Sequence, residues 1–112
     1  MAQIRLNAYH IMWLFVFFDL PVKTKKERKA ATLFRKKLLT EGFSMMQFSV
    51  YIRHCASRES MDVHIKRVKS LIPEKGHVSI LAITDKQYGN IVNYWGSKTA
   101  DMPSVPAQLE LF

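Results

Sequence analysis

The chain has 112 residues, 48% apolar, 12% aromatic and 23% charged, which sets the expectation of one domain with its own core and excludes disorder over most of its length. Cys55 is alone, so a disulfide framework is excluded and a reducing, cytoplasmic setting is expected. Lys and Arg number 17 against 9 Asp and Glu, a formal charge of +8 that favours a polyanionic partner over an acidic or neutral one.

Residues 11–18 (IMWLFVFF) form the longest apolar run. Eight residues fall far short of the roughly 20 needed to span a bilayer. No small-residue cleavage site follows, so neither a signal peptide nor a membrane partner is expected. The unbroken hydrophobicity fits a central strand covered on both faces, ended by Asp19, Leu20 and Pro21. Residues 23–41 predict a helix, with Ala30, Ala31, Phe34 and Leu38 on one face and Gly42 closing it. Residues 43–53 (FSMMQFSVYIR) read as two strands, or one strongly bulged strand, with a bend at Gln47 or Phe48.

Ser57 is the expected N-cap of a second helix, and Glu59 favours its dipole. Met61, Ile65, Val68 and Ile72 fall within about 60° on its wheel. Pro73 and Gly76 stop it. His77–Thr84 (HVSILAIT) is a further strand, residues 85–89 a turn, and residues 90–95 (NIVNYW) a short last strand. The order β-α-β-β-α-β with an appended C-terminal strand is the ferredoxin-like α+β arrangement, a sheet with both helices on one face. Residues 1–96 are read as this domain and residues 97–112, with Pro103 and Pro106, as an extended C-terminal tail.

Asp19 stands where the first strand ends. A carboxylate there could hold a hard divalent cation such as Mg²⁺; the ordinary reading is a turn or cap acceptor, favoured unless a second copy supplies another carboxylate. Lys25, Lys29 and Lys36 lie within about 40° around the first helix, with Arg28 and Arg35 in a second row roughly 80–120° away. Lys26 adds to that helix; Arg58, Lys66, Arg67 and Lys69 lie on the second helix, and Arg53 and His54 precede it. Singly each is an ordinary solvated side chain; as a set they predict contact with a phosphate backbone. No aromatic residue is spaced as a stacking platform, which points to backbone recognition of a duplex rather than base reading. His54, Cys55, Asp62 and His64 match no zinc spacing, and Cys55 lacks the surroundings of a catalytic thiolate.

Residues 13–21 (WLFVFFDLP), 25–30 (KKERKA), Gly42 with Phe43, 47–51 (QFSVY), 53–55 (RHC), 62–68 (DVHIKRV) and 83–89 (ITDKQYG) together resemble the CRISPR-associated Cas2 family, in the form that accompanies type II systems. The resemblance runs from Met12 to about Gly96. It implies a ferredoxin-like homodimer that bridges two Cas1 dimers. That assembly captures a duplex prespacer and inserts it at the CRISPR leader and repeat, with other type II adaptation proteins as further partners. Cas1 performs the transesterification, and Cas2 acts as scaffold. Some members are also metal-dependent endonucleases, in which the aspartate matching Asp19 comes from both subunits as catalytic and metal-binding residue. Lys26 and Arg28 match basic positions of those relatives. Their arginine two residues before the glutamine is Met45 here, and their phenylalanine is Tyr51, which weakens the nuclease reading.

Three functions follow: a scaffold of the Cas1–Cas2 integrase, a Mg²⁺-dependent endonuclease on RNA or duplex DNA (toxin ribonucleases of the VapD type share the general fold), and a small RNA-binding module. In the tail, Leu109 and Leu111 share one side of an extended segment that ends at Phe112. These three residues are expected to dock on Cas1 or on the dimer mate by strand addition. Sliding-clamp binding by the same segment and a tail without a role are the rival readings.

Overall fold

A computed structural model describes residues 11–100. Four strands, β1 (Met12–Asp19), β2 (Ser44–Gln47), β3 (Val50–Cys55) and β4 (His77–Thr84), form one antiparallel sheet in the order β2-β3-β1-β4. Helices α1 (Lys25–Thr40) and α2 (Arg58–Leu71) pack on one face of it. This is the ferredoxin-like arrangement, with the most apolar strand at the centre.

Alternation along β1 divides the core in two. Met12, Leu14, Val16 and Phe18 point toward the helices and bury against Phe34 and Leu38 of α1 and Met61 and Val68 of α2. Trp13 and Phe15 face the other way and bury with Ile52. On that second face Phe17, and Leu81 beside Phe15, are exposed, so the expectation of full cover on both sides is met only in part.

Thr24 caps α1 by accepting from the Glu27 amide at 3.0 Å, while the Glu27 carboxylate accepts from the Thr24 amide at 3.0 Å. At the other end Gly42, at φ +90°, lets the Phe43 amide donate to Leu38 O and the Gly42 amide to Leu39 O, both at 3.0 Å. That pair of bonds is the Schellman closure, and Phe43 and Leu38 share the core beneath it. A bulge between Met45 and Gln47 and a turn at Phe48 and Ser49 separate β2 from β3, as the sequence anticipates. Ser57 caps α2 through the Ser60 amide.

Three expectations need correction. Ile72 does not extend the apolar stripe of α2: it is the extended C-cap (ψ 128°), because the residue before Pro73 is driven out of helical geometry. His64, not Ile72, completes the buried face with Met61 and Val68. Residues 85–89 are not a simple turn. Asp85–Tyr88 makes one helical turn, α3, started by a second capping box between Thr84 and Gln87. Tyr88 stacks on Trp13 at 3.8 Å, and the Trp13 indole donates to Asp85 Oδ1 at 2.7 Å. The appended strand is shorter than residues 90–95 and does not join the main sheet. β5 (Asn93–Trp95) pairs with β6 (Lys98–Ala100) in a separate hairpin. Gly96, at φ +67°, provides the positive angle that a two-residue hairpin needs. The tail thus begins as a strand; Leu109, Leu111 and Phe112 lie outside the described residues.

Candidate nucleic-acid interface

The core positions of α1 fix where its cations point. Ala31, Phe34 and Leu38 face the sheet, so Lys25, Lys29 and Lys36 project to the opposite side. All three are exposed, border a common shallow depression with Arg28, and make no ion pair among the described residues. Lys26 is also exposed. The second row is tethered. Arg28 Nη1 donates to Val22 O at 3.1 Å and Lys23 O at 3.0 Å, holding the loop between β1 and α1. The Arg35 guanidinium lies over the rings of Phe48 at 4.0 Å and Phe18 at 5.2 Å.

The α2 side divides in the same way. Arg58 and Lys66 are exposed. Arg67, largely exposed, pairs with Glu41 Oε1 at 3.0 Å. Arg53 is half-buried against the bare face of Gly42 and donates from Nη1 to Glu41 O at 2.9 Å, so the structure gives it the role of a clasp across the end of α1. His54 is half-buried on the other sheet face, edge-on to Trp13 at 5.1 Å, and burial lowers its pKa. His64 Nδ1 lies 3.5 Å from Glu41 Oε1 without a hydrogen bond. Burial first, and then Arg53, lower its pKa. The Cys55 thiol is buried and its pKa raised by that burial, which leaves it inert as a nucleophile.

Asp19 is exposed at the end of β1, on the sheet face away from the helices and in register with His77 of β4. Among the described residues no three of His, Cys, Asp or Glu come together. Among the described residues Asp19 thus stands as one carboxylate outside any ready-made metal site. That donor set suits Mg²⁺, which keeps several waters and takes one or two carboxylates, only if a second Asp19 faces the first. Met45, where the resemblance expects arginine, is an exposed residue of β2.

Sequence reasoning missed two contributors. Glu41, which gathers Arg67 and His64 by its side chain and Arg53 by its carbonyl, looks in sequence like any helix-end residue. Phe48 is an aromatic ring, 71% exposed, on the tip of the β2–β3 turn beside Arg35. Its signal was an aromatic residue set between Gln47 and Ser49 at a predicted bend.

The fold and this site define a class: a ferredoxin-like α+β domain with cationic helices on one side and a partly open apolar sheet face on the other. The model of the family described as CRISPR associated protein Cas2 matches residues 12–91. A protein of Flavobacterium psychrophilum named CRISPR-associated endoribonuclease Cas2 is 54% identical over 108 residues, covering 96% of this chain and 94% of its own. Proteins of the same name from Parvibaculum lavamentivorans and Streptococcus mutans are 52% identical over 101 residues (90% and 100% of the two chains) and 36% identical over 98 residues (88% and 90%). The chain belongs to the CRISPR-associated Cas2 family. No helix of the described residues is long and apolar enough to cross a membrane.

Proposed function

We propose that this chain is a dimeric scaffold of CRISPR spacer acquisition that binds duplex DNA and is held by Cas1, with other type II adaptation proteins as further partners. The observation that carries the reading is the separation of surfaces. Lys25, Lys29 and Lys36 make no ion pair among the described residues and stand on the outer side of α1, whereas the exposed apolar side chains Phe17 and Leu81 lie on the opposite sheet face. Phosphate contact by the first surface leaves the second for a second copy of the chain. Co-purification with Cas1 followed by a prespacer integration assay tests the reading. Integration is expected with the wild-type chain and is expected to survive Asp19→Ala. Loss of integration by Asp19→Ala in an intact, DNA-bound complex would show that Asp19 takes part in the chemistry.

The name these relatives carry, endoribonuclease, favours a second reading: metal-dependent cleavage by the same dimer. Two Asp19 carboxylates brought together at the sheet face would hold Mg²⁺, and a bound ion there supplies an activated water and neutralises charge at a phosphate. With Met45 in place of arginine, the chain lacks that cation beside the phosphate, so cleavage is expected to be slow. Any cleavage is expected to vanish in Asp19→Ala and on chelation.

A further inference from the structure

We infer that Phe48 is a stacking site for an unpaired nucleobase, the exposed end of a stack that runs Phe18, Arg35, Phe48. This inference rests on the nucleic-acid reading above and extends it from phosphates to a base.

The stack is built from three elements. Phe18 at the end of β1 is buried, and its amide donates to Ser49 O at 3.1 Å, which fixes the β2–β3 turn against the strand end. Arg35, from the flank of α1, places its guanidinium between the two rings, 5.2 Å from Phe18 and 4.0 Å from Phe48. Its Nε lies 3.5 Å from Phe48 O, so the same side chain holds both the ring and the backbone of the turn. One face of Phe48 is thus occupied by a cation, and the residue remains 71% exposed. A large ring pinned in this way loses little freedom on binding and offers a flat apolar surface next to a positive charge. Every base has a π-face that fits such a surface, and the neighbouring guanidinium favours the phosphate attached to it. Residues 42–55 contain no Asp or Glu to repel that phosphate. Asp19 directly follows Phe18, so an unpaired nucleotide on Phe48 would lie at the same end of the sheet as that carboxylate.

Fluorescence-anisotropy titrations of the full chain with a blunt DNA duplex, and with the same duplex carrying single-stranded ends, test the inference. The wild-type chain is expected to bind the second more tightly. Phe48→Ala is expected to lose about tenfold in affinity for the duplex with single-stranded ends, the size of one lost base–aromatic stack, with no change on the blunt duplex. The salt slope is expected to stay the same, since no phosphate contact is removed. Phe48→Trp is expected to restore the affinity. Equal loss on both duplexes, no loss on either, no wild-type preference for single-stranded ends, or failure of Trp to restore binding would each overturn the stacking site. Salt-independent wild-type binding to the blunt duplex would instead overturn the basic-face reading. Binding to neither duplex would overturn both.

Discussion

Glu41, Gly42, Arg53 and His64 show how much one helix end can ask of single residues. An alanine at position 42 would have to adopt φ near +90° and would drive its Cβ into the Arg53 guanidinium. Gly42→Ala is expected to cost at least about 1–2 kcal/mol, the penalty of a left-handed conformation for an L-residue. A lower urea midpoint with an unchanged m-value would report it. Buried His64 and half-buried His54 predict a pH dependence. Both fall below the ordinary 6.5 in the folded chain, chiefly through burial. As pH drops below 6.5 the unfolded chain takes up protons that the folded chain refuses. Stability is therefore full above that value, declines as pH falls toward the folded pKa values, and levels off beneath them. Melting curves at pH 7 and pH 5 are expected to show the decline, and His64→Gln is expected to reduce it. Glu27 acts in a lower window. Its pKa is lowered first by the hydrogen bond from the Thr24 backbone, so its cap weakens only below about 4.5, where the unfolded carboxyl protonates.

At the scale of elements, legibility followed how local the cause was. The buried run of β1, the cap at Ser57 and the closure at Gly42 are written in adjacent residues, and the sequence locates them within a residue or two. α3 is four residues long and too short to show a period, so only the Thr84 and Gln87 pair marks it. Ile72 looks apolar and correctly spaced, but its conformation is decided by the proline after it. The site was legible as charge and illegible as geometry. The sequence displays Arg53 as a cation but hides the carbonyl of Glu41 that engages it, and it displays Phe48 without the guanidinium beneath it. Within α1 the exposed row is the part that should carry DNA affinity. Replacing Lys25, Lys29 and Lys36 together by Ala is expected to flatten the dependence of duplex binding on salt by about three phosphate contacts. An unchanged slope would remove this helix face from the phosphate track.

On the scale of the whole molecule, the open sheet face and the short hairpin argue for a second copy. Phe17 and Leu81 are exposed on that face, the outer edge of the eight-residue β4 has no strand beside it among the described residues, and Tyr94 and Trp95 of β5 are exposed. An open edge and two aromatic rings left in water invite pairing with a like chain. Light scattering at micromolar concentration is expected to give a dimer, and Phe17→Asp is expected to shift it toward monomer while leaving the helix-side core intact. A stable wild-type monomer would refute the arrangement.

The central strand also has a consequence for the chain while it is being made. β1 is the first strand described, yet one of its two neighbours, β4, comes late, and the Trp13 bond to Asp85 spans 72 positions. At a synthesis rate of about 5–20 residues per second, the most apolar segment waits roughly 4–14 s before that neighbour even exists. During this interval Trp13, Phe15 and Phe17 have no β4 to lie against, and they present a sticky strand to other nascent chains on the same messenger. Such neighbours are copies of the chain itself. Where two ribosomes follow closely, the waiting strand of one lies within reach of the other, so crowded translation is expected to lower the soluble yield of this protein before its finished stability has any say.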